Sequence, residues 1–136
     1  MSQGADFVLD ASALLAYLRN EPGKEEVRNA LQVRAVIGAV NWAEVLSKLI
    51  DLGYDLEIAR QRLRDEGVIG AALIIWPFDE NLAGAVAELR NQTRSSGLSL
   101  GDRACIALAS LLKVPVLTAD RSWSRLKTKV AIRAIR

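Results

Sequence analysis

The sequence predicts an α/β three-layer sandwich: a central, mainly parallel β-sheet flanked by helices, in one domain spanning residues 1–136. Three observations predict it. Short apolar runs, among them Phe7-Val8-Leu9, Leu73-Ile74-Ile75-Trp76 and Val116-Leu117-Thr118, alternate with longer stretches of helical character. Strands separated by helices pair in parallel through crossovers. A chain of 136 residues that is 51% apolar and 25% charged is one globular domain, long enough to bury a core. No internal repeat, low-complexity stretch or linker divides it.

The elements follow in order. Residues 6–10 read as a strand, and 12–20 as a helix with Ser12 as N-cap and Pro22-Gly23 as its break. Residues 24–32 read as a second short helix and 35–39 as a short apolar strand. A helix over 42–52 is expected with Asn41 as cap and Gly53 as stop, then another over 55–66 opening at Asp55. Residues 72–76 form a strand ended by Pro77. A long helix spans about 80–95, and Ser99 caps the next over 100–113. A strand at 115–118, a helical turn near 121–126 and a last strand around 130–135 complete the chain.

Composition narrows the chemistry. The chain has no histidine, so Ser-His-Asp and Cys-His catalysis and histidine-based zinc sites are excluded. Its one cysteine excludes an internal disulfide and fits a reducing cytoplasm. No apolar run approaches the roughly 18 residues of a membrane span, and residues 1–6 show no export signal. The net charge of +2 is too small to identify a partner. Hydrolytic chemistry here must rest on carboxylates, a metal, or both.

Four acids stand where strands give way to helices: Asp10, Glu44, Asp102 and Asp120. In an open parallel sheet, ligands bind at the carboxyl ends of the strands. Asp10 and Asp120 end strands there, Glu44 follows the second strand, and Asp102 is placed at the same edge by the direction of its helix. Like charges gathered that closely need a counter-cation. The set therefore points to a divalent metal and to phosphodiester chemistry. Each acid also has a local reading as a helix cap or first-turn acid: Asn41-x-x-Glu44 and Ser99-x-x-Asp102 resemble capping boxes, and Asp10 and Asp120 precede helical segments.

Other residues are weighed beside them. Cys105, within Ala104-Cys105-Ile106-Ala107, reads as core. Trp42, Trp76 and Trp123 default to core packing, with Trp123 also near enough to Asp120 to stack on a base. From residue 121 onward the chain carries Arg121, Arg125, Lys127, Lys129, Arg133 and Arg136 without an acid. That stretch is a solvated basic edge or a phosphate-tracking strip for nucleic acid. Arg103 can reach the same substrate or shield the acids.

Taken in order, these segments resemble the motifs of PIN-domain ribonucleases. Val8-Leu9-Asp10-Ala11-Ser12-Ala13-Leu14-Leu15-Ala16 is similar to the family's opening, and Asn41-Trp42-Ala43-Glu44 to its second acidic motif. Leu100-Gly101-Asp102-Arg103-Ala104-Cys105 resembles the third, an aspartate opening a small-residue helix. Val116-Leu117-Thr118-Ala119-Asp120-Arg121-Ser122-Trp123 resembles the fourth. Arg103 departs from the pattern, standing where the family more often has a small residue, and the basic C-terminal stretch is one that varies within it.

The resemblance implies a PIN-like fold and a metal-dependent endoribonuclease. Mg²⁺ or Mn²⁺ would be held by Asp10, Glu44, Asp102 and Asp120, with Ser12 and Thr118 as supporting or water-positioning groups. The chain length is similar to that of VapC-type toxins, which implies a cytoplasmic homodimer and an antitoxin protein that blocks the acidic cleft. Apolar residues on the two middle helices, Leu46, Leu49, Ile50, Leu56 and Ile58, serve either the core or such a partner. Two other readings stand beside it: a PIN nuclease of RNA maturation or decay without antitoxin, and a catalytically silent scaffold binding RNA or protein. A haloacid-dehalogenase phosphatase is disfavoured because Ser12 stands where a second aspartate is needed, and a receiver domain because Asp10 has no adjacent acid.

Overall fold

Every strand pairing in the sheet is parallel. In the computed structural model, which describes residues 5–136, five strands line up in the order β3-β2-β1-β4-β5. They are β1 (Phe7–Leu9), β2 (Ala35–Gly38), β3 (Leu73–Trp76), β4 (Val116–Thr118) and β5 (Ile132–Ala134). Side chains alternate across the sheet, so the register lays two apolar rows on opposite faces. Val36, Val8 and Val116 form one row; Ile37, Leu9 and Leu117 form the other. Each row is the floor of a separate core.

Helices α1 (Ala11–Leu18), α2 (Lys24–Val33), α3 (Ala39–Asp51) and α4 (Leu56–Asp65) cover the Leu9 face. Helices α5 (Glu80–Thr93) and α6 (Leu100–Leu112) cover the Val8 face, together with Trp123. The three expected layers are therefore present, and the elements agree with the sequence-predicted ones to within a few residues. The long fifth helix ends at Thr93 and tightens into a 3₁₀ turn over Arg94–Ser96. No helix among the described residues is long and apolar enough to cross a membrane.

Two helix starts differ from expectation. Asp10, not Ser12, caps α1: its carboxylate accepts the Ala13 amide proton. Helix α3 starts at Ala39, directly off β2, with extended Gly38 at the capping position. Asn41 is therefore inside the helix, and Asn41-x-x-Glu44 is no capping box. The physical reason is that the buried Asn41 side chain turns into the protein, to partners described below. Asp55 and Ser99 cap α4 and α6 as expected, and α6 carries the full reciprocal box with Asp102.

The strand order also locates the crevice. From central β1 the chain first builds outward through β2 and β3, then returns to add β4 and β5 on the other side. The order reverses between β1 and β4, where open α/β sheets form their ligand-binding cleft. Asp10 follows β1 and Asp120 follows β4, both beside that gap.

Candidate active site

Asp10 is the buried centre of the site, 5% exposed. Its Oδ1 accepts hydrogen bonds from Ser12 Oγ at 2.7 Å and from the Ala13 amide at 2.8 Å. Its Oδ2 accepts one from Thr118 Oγ1 at 2.5 Å. The hydroxyls carry the connection to β4, for Ser12 Oγ accepts from the Ala119 amide at 2.9 Å and Thr118 Oγ1 from the Asp120 amide at 3.0 Å. Ser12 and Thr118, only 3.3 Å apart, thus clamp the ends of β1 and β4 around one carboxylate. Burial pushes the Asp10 carboxyl above its ordinary 3.8, against the pull of the Thr118, Ala13 and Ser12 hydrogen bonds, and the Asp102 charge adds to the push.

Glu44 and Asp102 meet where α3 crosses the first turn of α6. Asn41 Nδ2 donates to Glu44 Oε1 at 2.9 Å and to the Gly101 carbonyl at 3.0 Å. Gly101 is the close-approach position: a Cβ there would lie 2.6 Å from Glu44 Oε1 and 2.7 Å from Oε2. Next along α6, Asp102 Oδ2 accepts from the Ser99 amide at 3.1 Å, while the Asp102 amide donates to Ser99 Oγ at 3.1 Å. The capping box is real, and it fixes the direction of the Asp102 carboxylate.

Cys105, one turn further into α6, is fully buried, as its apolar neighbours implied. Burial pushes its thiol well above the usual 9.0, and the charges of Asp10, Asp102 and Glu44 push the same way. Three of the four acids thus act on one point under the cleft. Asp120 stands apart. It is exposed, and its Oδ1 accepts from the Ser122 amide at 2.9 Å and the Ser122 hydroxyl at 2.6 Å. Its link to the others runs through Thr118.

Two expected RNA contacts are corrected. Arg103 is buried at 8% exposure and its Nη1 donates to the Val86 carbonyl of α5 at 3.1 Å. A guanidinium folded between α5 and α6 cannot meet a phosphate. Trp123 is 2% exposed and packs in the Val8-side core, so its ring has no free face for a base. Arg121 and Arg125 are exposed, although Arg121 Nε is engaged by the Arg136 carbonyl at 2.6 Å. Asn41 and Gly101 are the residues that sequence reasoning missed as parts of the site. Their signals were an asparagine three residues before the acid and a glycine just before Asp102.

The donor set fits a hard, hydrated divalent ion. All four acids offer oxygen, the ligand Mg²⁺ and Mn²⁺ favour. A carboxylate accepts about four hydrogen bonds, so the three on Asp10 leave it capacity for a cation, which would also relieve its unfavourable burial. Among the described residues no three acidic or cysteine side chains form a ready-made cage. Mg²⁺ asks for less, keeping several waters and taking one or two carboxylates.

The comparisons agree with this architecture. The family model of the PIN domain matches residues 7–129. No curated protein matches the chain closely enough to count as a relative. Among solved structures, FitAcB from Neisseria gonorrhoeae superposes with a TM-score of 0.72 at 22% identity, covering 95% of this chain and 97% of that one. A toxin–antitoxin complex from Klebsiella pneumoniae gives a TM-score of 0.74 at 15% identity, covering 96% and 98%. DNA-bound VapBC from Salmonella typhimurium gives 0.70 at 18% identity, covering 97% and 99%. At such identities the likeness is one of fold, and the matched motif order spans nearly the whole chain. The chain belongs to the PIN-domain family.

Proposed function

We propose that this PIN domain is an Mg²⁺- or Mn²⁺-dependent endoribonuclease that hydrolyses RNA phosphodiester bonds as the toxin of a toxin–antitoxin pair. The observation that carries the reading is the buried Asp10 carboxylate, held by Ser12 and Thr118 beside the reversal point of the sheet. Asp10, Glu44, Asp102 and Asp120 are the residues that would hold the ion. The ion, when bound, lowers the pKa of a water and steadies the leaving oxygen, work that a chain without histidine cannot give to an imidazole. Ser12 and Thr118 hold Asp10 in one orientation, and the exposed Asp120 forms the rim toward solvent. Exposed Arg121, Arg125, Lys127 and Lys129 supply a basic border for the RNA backbone.

The toxin part of the reading draws on the fold's neighbours, which include toxin–antitoxin complexes from several bacteria. The chain's own surface supports a protein partner. A groove between α1 and the α3–α4 corner is lined by Leu18, Leu49, Tyr54, Ile58 and Leu63. Ile58 is 63% exposed, Tyr54 56% and Ile50 55%, a concentration of apolar surface that an antitoxin would cover. A cytoplasmic homodimer belongs to the same proposal.

The test is cleavage of RNA by antitoxin-free protein with and without Mg²⁺ or Mn²⁺, beside Asp10→Asn. Metal-dependent cutting that the variant loses is expected. A folded wild type that neither binds metal nor cuts any RNA would sink the nuclease reading in favour of a silent scaffold.

A further inference from the structure

We infer that Asn41 is a positioning residue for Glu44, locking its carboxylate onto the first turn of α6 beside Asp102. For its effect on catalysis this rests on the nuclease reading; for the place of Glu44 it does not. Asn41 is 2% exposed and sits on α3 three residues before Glu44, a spacing that puts both on one helix face. The two protons of its Nδ2 go to Glu44 Oε1 and to the Gly101 carbonyl, so one amide ties two helices and one acid together.

Packing does not explain an amide here. Its Oδ1 is buried without a protein donor, a burden that an aliphatic side chain of similar volume would not carry. The benefit lies in what Nδ2 holds. Glu44 is an exposed side chain on the surface of α3, and Asn41 is its hydrogen-bond partner. Gly101 completes the device, because only the missing Cβ leaves room for the carboxylate against α6. The amino end of that helix also favours a negative charge. Side chains that orient metal ligands in this way typically contribute 10–100-fold to affinity or activity.

Asn41→Leu tests the inference, since it fills the space and removes both donors. Three readouts are compared with wild type: the crystal structure, Mn²⁺ affinity by electron paramagnetic resonance, and RNA cleavage kinetics. The Glu44 carboxylate is expected to leave Gly101, with Mn²⁺ affinity and kcat falling about 10–100-fold and KM for RNA unchanged. In a Glu44→Ala background, the same change should lower Mn²⁺ affinity and kcat no further, because the effect of Asn41 on the ion runs through Glu44, whereas its bond to the Gly101 carbonyl bears on helix packing. Equal losses in both backgrounds, or a Glu44 carboxylate still seated on Gly101 in Asn41→Leu, would overturn the inference. Should the leucine variant fail to fold, Asn41→Ala removes the same donors. If wild type neither binds Mn²⁺ nor cuts RNA, the nuclease reading falls and the crystal position of Glu44 alone decides this one.

Discussion

Replacing Asp10 with asparagine should abolish cleavage and leave the metal-free protein as stable as before, or more so. The hydrogen-bond network accommodates the amide. Asparagine Oδ1 keeps the Ser12 and Ala13 donors, and its Nδ2 faces Thr118 Oγ1. Thr118 then turns its own proton to Ser12 Oγ, 3.3 Å away, while both hydroxyls still accept from the Ala119 and Asp120 amides. Asparagine and aspartate cap helices about equally well. What changes is the charge. Because burial raises the folded-state pKa, ionising Asp10 opposes folding. That opposition is absent below the unfolded value near 3.8, grows as pH rises through the folded value, and is constant above it.

Losing that opposition offsets the loss of a helix-dipole interaction of about 0.3–1 kcal/mol, so stability at neutral pH should be held or raised. The Tm of Asp10→Asn at neutral pH should therefore equal or exceed that of wild type. Any gain should vanish near pH 3, where both side chains are neutral. Asp10→Ala is the contrast. It loses the cap, about 0.5–2 kcal/mol, and strands buried donors at about 1–3 kcal/mol each, so its Tm should fall by about 10 °C or more. Added Mn²⁺ should raise the Tm of wild type and of neither variant. The assay is thermal melting from pH 3 to 8 with and without Mn²⁺. An asparagine variant that melts well below wild type at neutral pH would refute the reasoning and make the charge of Asp10 structural.

Gly101→Ala should leave Tm within a few degrees of wild type, as the added Cβ displaces only the far end of the Glu44 side chain and a helix gains up to about 1 kcal/mol from the exchange; cleavage should fall about tenfold or more, and a collapse in Tm would show Glu44 to be part of the scaffold. Arg103→Met should be neutral or stabilising by about 1–4 kcal/mol in urea unfolding, because it removes a buried cation that has no acid within ion-pair distance among the described residues. Its RNA affinity by fluorescence anisotropy should match wild type; weakened binding would restore the phosphate role. Trp123→Ala should lose about 3–5 kcal/mol of stability, and a variant of normal stability with weakened RNA binding would reinstate base stacking.

The acids were legible in the sequence because each is a polar residue ending an apolar run or opening a helix, a pattern that needs no tertiary knowledge. The layers were legible for the same reason. Asn41 was not, since its partner Gly101 lies 60 positions away and nothing local distinguishes an inward-turned asparagine from a cap. Arg103 misled because long cationic side chains usually reach water. The composition of α6 held a warning. Its run Ala104-Cys105-Ile106-Ala107-Leu108-Ala109 is apolar on every side, as expected of a helix enclosed all round. An arginine in that first turn is more readily buried than displayed.

The capping and ligand readings of the four acids turn out not to compete. Asp10 caps α1, Asp102 completes the box of α6, and Asp120 caps the turn at Arg121–Arg125. A parallel sheet places helix amino ends at the carboxyl ends of its strands, so capping acids and the ligand cleft occupy the same rim. Each cap spends part of the carboxylate on backbone or hydroxyl donors and thereby fixes its direction. That is the preorganisation a metal site requires. Glu44, which caps nothing, is the exception, and it is the acid for which the fold supplies Asn41 instead. Fixing the directions does not remove the repulsion, for Asp102 still pushes on Asp10 and both, with Glu44, push on Cys105. The fold therefore holds negative charges together that it does not itself neutralise, which is the electrostatic condition under which a divalent cation binds.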